Sequence, residues 1–252
     1  MSLHHKLLFV LLPLHALLLA LAWTGALPWW PFIALLTAHL LLLGWGAMDH
    51  ALGLFLRAHR HGKPGTLALT YDDGPHPQHT PALLDLLKAE GVQAAFFCIG
   101  REVERHPALV KRMVDEGHLV GCHSMDHPVG WGFISTARSV EQILRGVAAI
   151  EQACGMRTPW FRPPFGVTSP NVAAAVRRTG VRVIGWDVRP FDTTFRTTEK
   201  RLAWIFGERP KGTVVVLHDT VGPVVETTRA IIERCRTAGV PLLRVDRSLG
   251  LS

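Results

Sequence analysis

The sequence predicts an α/β protein: a distorted (β/α) barrel of about seven strands, preceded by an N-terminal transmembrane helical hairpin. Three observations predict it. From Gly65 onward, apolar runs of strand length alternate with amphipathic helical runs, and such alternation builds a parallel sheet. Two apolar runs of membrane-spanning length occupy the first 48 residues. The residues that carry chemistry fall at or just after predicted strand ends, which share one face in an α/β barrel.

The N-terminal stretch comes first. Residues 1–48 hold one of the chain's 27 Lys+Arg and none of its 20 Asp+Glu. Runs 7–26 and 29–48 each approach the ~20 residues that span a hydrocarbon core. Between them, Thr24-Gly25-Ala26-Leu27-Pro28-Trp29-Trp30-Pro31 is uncharged and rich in turn formers, and its Trp pair suits an interfacial belt. A cleaved signal peptide, with His4-His5-Lys6 as its basic flank, explains the first run but not the second. Pro13, His15 and His39 fall within the spans, and the two histidines are expected to pack against the partner helix without a chemical role. A hairpin puts both flanks on one side. Lys6 precedes it; Arg57, Arg60 and Lys63 follow, with His59 and His61. Positive flanks stay inside, so the expected location is a bacterial inner membrane with the domain that follows the hairpin facing the cytosol. The expected domains are a hairpin (1–48), a juxtamembrane amphipathic linker (49–64) and a barrel (65–252) that carries the chemistry-bearing residues.

Within the barrel the expected strands are 66–71, 94–99, 118–122, 159–162, 181–186 and 212–217, with 240–245 as a last one. The expected helices are 81–90, 101–116, 135–152, 171–178, 198–206 and 224–238. Gly91 and Gly117 read as helix stops, and Ser135 or Thr136 as a helix cap. The formal net charge is +7 with His neutral. That surplus is scattered, with no basic stripe and interleaved aromatics, so nucleic acid is not an expected partner. It suits anionic lipid headgroups, which makes membrane lipid an expected one. Four cysteines without close spacing, Cys98, Cys122, Cys154 and Cys235, read as free buried thiols.

The polar residues at strand ends form the candidate site. Asp72 and Asp73 end the first strand in Thr70-Tyr71-Asp72-Asp73-Gly74-Pro75. That string is turn-forming by composition alone. Where a strand gives way to a turn, however, neighbouring carboxylates can flank one cavity, one holding a metal and the other free as a base. His123 and His127 follow the third strand, Arg162 closes the fourth, Asp187 and Asp192 follow the fifth, and His218 and Asp219 follow the sixth. Two histidines four residues apart, with one aspartate from elsewhere, make a facial set of two imidazoles and a carboxylate. That donor set suits a divalent metal, Zn²⁺ above all, with positions left open for water and substrate. His76 and His79 read as loop residues, and His106 and His118 as structural.

From Gly65 to Val245 the chain resembles the polysaccharide deacetylase family, the NodB-homology domains similar to carbohydrate esterase family 4. Five motifs match in order: Thr70-Tyr71-Asp72-Asp73-Gly74, His123-Ser124-Met125-Asp126-His127, Arg162-Pro163-Pro164-Phe165-Gly166, Asp187 to Asp192, and Val216-Leu217-His218. The fourth departs, with Thr193 after its aspartate where the family often has Trp. The fifth carries Val216 where Leu is common. Both changes bear on the pocket for the leaving acyl group rather than on the metal. The resemblance implies that Asp73, His123 and His127 hold the metal and that Asp72 is the general base, oriented by Arg162. It implies that a backbone N–H near Phe165 helps bind the oxyanion. His218 would protonate the departing amine, with Asp192 favouring its charged form. Val216 and Trp186 would help line an apolar acyl pocket, although Trp186 reads equally well as barrel core.

The implied reaction is metal-dependent hydrolysis of an N-acyl group, first of all N-acetyl, from an amino sugar of a glycan. A hairpin-anchored domain adds a polyprenyl-linked sugar as a substrate; an outward-facing domain would favour peptidoglycan or an exported polysaccharide. Two readings compete. A non-haem iron oxygenase also uses two histidines and one carboxylate, but has no need of Asp72, Arg162 or His218. A catalytically silent, membrane-anchored sugar-binding module would be expected to lose the base or a ligand, and all are present.

Overall fold

The computed structural model describes residues 2–190, 192, 205–207 and 212–251. Two long helices open the chain, α1 (Leu3–Trp23) and α2 (Trp30–Met48). Ser2 caps α1, its hydroxyl accepting the His5 N–H, and Pro31 sits in the first turn of α2, where its missing N–H costs nothing. The helices pack as a hairpin. His15 and His39 meet across it with ring centroids 5.3 Å apart, and Trp23 and Trp29 meet at the turn.

The sheet has seven strands: β1 (His61–Gly62), β2 (Leu67–Asp72), β3 (Ala95–Cys98), β4 (Leu119–Cys122), β5 (Trp160–Phe161), β6 (Arg182–Val183) and β7 (Gly212–His218). Their order is β1-β7-β2-β3-β4-β5-β6, all parallel except β1, which runs antiparallel to β7. β2 and β7 are buried along their whole length, as expected for central strands covered on both faces. Around the sheet lie α3 (His79–Ala89), α4 (Gly100–Arg105), α5 (Pro107–Asp115), α6 (Thr136–Cys154), α7 (Pro170–Thr179), α8 (Val224–Ala238) and α9 (Val245–Leu249).

The sheet curls into an imperfectly closed barrel, and one short segment shows how. Arg182 and Ile184 donate backbone hydrogen bonds to Pro159 and Phe161 beside β5; Asp187 and Val188 donate to Val214 of β7. The chain therefore crosses from one edge to the other. No single neighbour pairs with it for long, so the expected strand 181–186 shortens to β6 with isolated bridges at Ile184 and Val188.

Three other expectations change. The helix expected over 101–116 divides into α4 and α5 at Pro107: His106 before it adopts φ −133°, ψ 52°, outside the helical region that proline disfavours in its predecessor. The strand expected over 240–245 reduces to one bridge between Leu242 and Leu67, because from Thr70 that edge of β2 belongs to β3. Val245 then begins α9. The helix expected over 198–206 lies outside the described residues apart from 205 and 206.

Residues 49–64 carry more structure than a linker needs. A 3-10 turn spans His50–Leu52, and β1 joins the sheet. Leu54 and Phe55 are buried with Ala173 of α7 and with Leu42, Leu43 and Ala47 of α2. A Cβ on Gly46 would fall 2.2 Å from Leu54 Cδ2, so only glycine permits this approach. The Ala47 carbonyl accepts the Thr168 N–H (2.8 Å) and the Gly46 carbonyl its hydroxyl (3.2 Å). The C-terminal end of α2 is thereby fixed to the loop that follows β5.

Candidate active site

The site is built where β2, β4, β5 and β7 end. Asp72 is the last residue of β2. At Asp73 the backbone turns left-handed, φ 75°, a conformation Asp tolerates better than most residues. The pair therefore leaves strand alternation at the point where both carboxylates can face one cavity. After β4, Ser124 (φ 68°) and His127 (φ 48°) do the same, and after β5 so does Phe165 (φ 59°). Among the described residues these four are the non-glycine positions with positive φ, and all surround one site. Strain of this kind collects where the surrounding structure holds functional groups in place.

The histidine loop is braced from behind. Gln142 Oε1 of α6 accepts the Met125 and Asp126 N–H groups, its Nε2 donates to Asp126 Oδ2 (2.7 Å), and the Ser124 hydroxyl accepts the His127 N–H (3.0 Å). α6 comes this close because of Gly146, where a Cβ would meet Cys122 Sγ at 2.6 Å.

Asp73, His123 and His127 each offer one donor atom, all within 4.8 Å of one another. Asp73 Oδ1 lies 3.5 Å from His123 Nε2 and 3.5 Å from His127 Nε2. That oxygen is buried without a hydrogen-bond partner, which is costly unless something else satisfies it. His123 Nδ1 donates to the Arg162 carbonyl (2.7 Å), an acceptor only, so the neutral ring presents a bare Nε2 lone pair toward Asp73. Two imidazole nitrogens and an orphaned carboxylate oxygen fit a divalent metal.

Asp72 is treated differently. Arg162 is fully buried and donates to Asp72 Oδ1 (2.7 Å), the Thr70 hydroxyl (2.8 Å), and the carbonyls of Ile184 (3.1 Å) and Gly185 (3.0 Å). Its guanidinium lies 4.1 Å from the centre of the Phe97 ring. Burial alone would raise the Asp72 carboxyl; Arg162, then His123 and His218, outweigh it and hold the group below the ordinary carboxylate value. Asp72 is thus a buried anion whose proton is readily lost.

Across the site, His218 ends β7. Its Nδ1 donates to Asp192 Oδ1 (2.9 Å), and its backbone N–H donates to Asp192 Oδ2 (2.7 Å). Burial depresses the imidazole, but the Asp192 carboxylate more than compensates, and His218 titrates above its usual value. Phe165 stands edge-on to His127 with ring centroids 4.5 Å apart, and its backbone N–H has no partner among the described residues. Trp186 is half-buried. It packs on Gly166, where a Cβ would fall 2.3 Å from the indole, and lies 5.5 Å from the Arg162 guanidinium. Val216 is buried on β7 two residues before His218, on the same face of the strand.

The structure therefore brings Asp72, Asp73, His123, His127, Arg162, Phe165, Trp186, Asp192, Val216 and His218 to one end of the barrel. Asp187 is elsewhere: its carboxylate accepts the Val214 N–H (2.6 Å) and lies beside His61 at the barrel seam. Thr193 lies outside the described residues.

One residue was noted in the sequence without a role. Asp219 is buried, its Oδ2 accepts from the Thr80 hydroxyl (2.5 Å), and its Oδ1 has no partner. Burial, then the charges of Asp73 and Asp72, push its carboxyl up to about 7 against the pull of Thr80. It packs so closely on Gly74 that a Cβ there would fall 2.2 Å from Oδ2. Asp219 therefore supports the turn that bears Asp72 and Asp73. The only sequence signal for this was a second carboxylate beside a site histidine.

A two-histidine, one-aspartate donor set and a buried Asp–Arg pair therefore sit together at the strand ends of a curled parallel barrel. The family model described as polysaccharide deacetylase matches residues 59–184. A chitooligosaccharide deacetylase of Bradyrhizobium sp. is 35% identical over 156 residues, 62% of this chain and 71% of that protein. A peptidoglycan-N-acetylglucosamine deacetylase of Listeria monocytogenes is 33% identical over 184 residues, 73% of this chain. The chain spans only 39% of that relative's length. Among solved structures, the chitin deacetylase of the fungus Colletotrichum lindemuthianum superposes with a TM-score of 0.71 at 27% identity, covering 77% of this chain and 91% of that one. The peptidoglycan deacetylase PdaC of Bacillus subtilis gives 0.67 at 29% identity, covering 75% and 91%. The chain belongs to the polysaccharide deacetylase family.

Proposed function

We propose that this protein is a membrane-anchored, metal-dependent hydrolase that removes an N-acyl group, first of all N-acetyl, from an amino sugar of a glycan or lipid-linked glycan precursor. One observation carries the reading. Asp73 Oδ1 is buried, unpartnered and 3.5 Å from two imidazole nitrogens, while its neighbour Asp72 is ion-paired to a buried arginine. The relatives named for peptidoglycan N-acetylglucosamine and chitooligosaccharides support an N-acetylated amino sugar.

A divalent metal held by Asp73, His123 and His127, Zn²⁺ by the donor set, would supply Lewis acidity toward water and the amide carbonyl. Asp72 takes the water's proton, and Arg162 orients that carboxylate and keeps it ionised. The unpartnered Phe165 N–H donates to the oxygen that gains negative charge. His218, kept protonated by Asp192, gives its proton to the departing amine. Trp186 and Val216 wall the acyl group.

Several features support the membrane anchor. α1 and α2 have mean hydropathies of 2.1 and 1.7 over spans long enough to cross a bilayer, and few of their residues are fully buried. Phe9, Leu41 and Trp45 are exposed, which a water-facing helix pair tolerates poorly. Val129 and Phe133, on the loop after His127, are 93% and 95% exposed, an apolar edge next to the site. The basic flanks favour a catalytic domain on the cytosolic face of a bacterial inner membrane, where it would meet a polyprenyl-linked sugar. A reporter fused after Ser252 tests this; activity only in the periplasm would move the domain outside and make peptidoglycan or an exported polysaccharide the substrate.

The reaction is tested on the full chain in detergent, with bound metal measured and acetate release followed from an N-acetylhexosamine lipid phosphate. Acetate from the wild type, and an Asp72→Asn variant that keeps metal but is inactive, is the expected result. Metal without acetate from any amino sugar would discard the substrate. A folded, metal-free protein would make a silent sugar-binding module the better account.

A further inference from the structure

The two basic flanks of the hairpin, far apart in sequence, line one cavity. It measures about 450 Å³ and is walled by Ser2 and the first turn of α1 with Lys6, by the turn from His50 to Gly53, and by Leu56, Arg57, Ala58 and Arg60. No Asp or Glu lines it. Among the described residues Lys6, Arg57 and Arg60 make no ion pair, whereas Arg105, Arg112, Arg138 and Arg236 each pair with a carboxylate. Three cations without a carboxylate, around a volume in the usual range for ligand sites, leave positive charge unanswered.

The position narrows the ligand. The cavity lies where the apolar helices begin and end: α1 starts at Leu3, α2 stops at Met48, and His4 N–H donates to the Leu54 carbonyl (2.9 Å). In a spanning hairpin this is headgroup depth, where Lys and Arg meet anionic lipid. Guanidinium groups recognise phosphate oxygens through paired N–H donors. The cavity also adjoins the catalytic centre. His50, in its wall, stands 4.4 Å from the Trp186 ring and bonds to the Trp186 backbone, and Trp186 packs on Gly166 and beside Arg162.

We propose that this cavity binds the phosphate group of a membrane lipid through Lys6, Arg57 and Arg60. The inference rests on the membrane-anchored reading above. Two sources share the chemistry: the headgroup of a bulk phospholipid, and a polyprenyl phosphate whose attached sugar is the substrate.

The test uses the full chain in detergent micelles, titrated by native mass spectrometry with phosphatidylglycerol, a short-chain polyprenyl phosphate and inorganic phosphate, with diacylglycerol as the phosphate-free control. Both phospholipids are expected to bind more tightly than diacylglycerol. Neutralising Lys6, Arg57 and Arg60 to Ala is expected to weaken them by roughly fivefold per charge removed. The Arg57→Lys, Arg60→Lys pair is expected to retain most of the binding, which a misfolded variant would not. A preference for polyprenyl phosphate identifies the carrier, equal affinities identify the bulk headgroup, and inorganic phosphate bound as tightly as either lipid overturns a lipid as the ligand. Undiminished phospholipid binding by the triple Ala variant, or diacylglycerol bound equally well, overturns the proposal. Flotation of the same chain with phosphatidylcholine vesicles keeps the two ideas apart: failure to float defeats the membrane reading, whereas flotation with undiminished lipid binding defeats only the cavity.

Discussion

The two halves of the candidate active site are made in opposite ways. On the side proposed to hold the metal, Asp73, His123 and His127 sit on turns, with φ positive at Asp73, Ser124, His127 and Phe165, and Asp73 Oδ1 is left without a hydrogen-bond partner. On the side proposed to transfer protons, Asp72 and His218 end regular strands, and each is ion-paired, to Arg162 and to Asp192. A metal site needs open lone pairs converging from directions a regular strand does not offer, so strained turns supply them. A base and an acid need defined charge states, so buried ion pairs supply those. The same barrel end therefore holds unsatisfied donors and saturated ones side by side.

That contrast can be broken first from the metal side. Asp73→Asn is expected to lose bound metal and to lower turnover on the order of 10³-fold, since the Lewis acid contributes several kcal/mol; metal analysis alongside acetate release checks it. If Asp73→Asn keeps its metal, the donor set is wrong.

On the other side, Asp72→Asn is expected to keep metal yet lose roughly 10²–10⁴-fold in turnover, the range of a general base. It also leaves the Arg162 cation buried without a countercharge, which costs about 3–5 kcal/mol, readable in chemical denaturation. Activity loss without destabilisation would separate the two roles assigned to the pair.

The acid is probed by pH. The folded-state value of His218 is raised, so the His218–Asp192 pair stabilises the fold below the unfolded histidine value, near ~6.5. That contribution is lost as pH rises through the raised value. Asp192→Asn removes the chief raising partner, and the alkaline limb of the pH–rate profile is expected to move to lower pH. An unmoved limb would exclude His218 as the proton donor.

The smallest effect on turnover is expected at Asp219. Its folded-state value is about 7, above the unfolded carboxyl near ~3.9, so the metal-free fold keeps a proton that the unfolded chain releases. Stability contributed by this group therefore falls as pH rises through that window. Asp219→Asn is expected to flatten the fall in melting temperature between pH 4 and 7 while metal binding persists.

Much of this was legible in the chain. The alternation of Val214, Val216 and His218, and the ends of β2, β4, β5 and β7, are written as apolar runs closed by polar residues. The residues of the site follow directly, because a parallel barrel collects those ends on one face. Less legible were the division of α4 from α5, although Pro107 marks it, and the shortness of β6, which follows from a handover between two edges.

By itself the sequence determined the fold class, the apolar hairpin and which polar residues gather at the strand ends, because periodicity and residue chemistry are local properties. Only the tertiary structure decided which aspartate keeps an open oxygen and which is ion-paired. It alone seated Asp219 behind Gly74 and His50 against Trp186, 136 residues away. It also drew Lys6, Arg57 and Arg60 around one cavity. Those outcomes depend on which atoms are left without partners once the chain has packed, and a partner distant in sequence leaves no local mark.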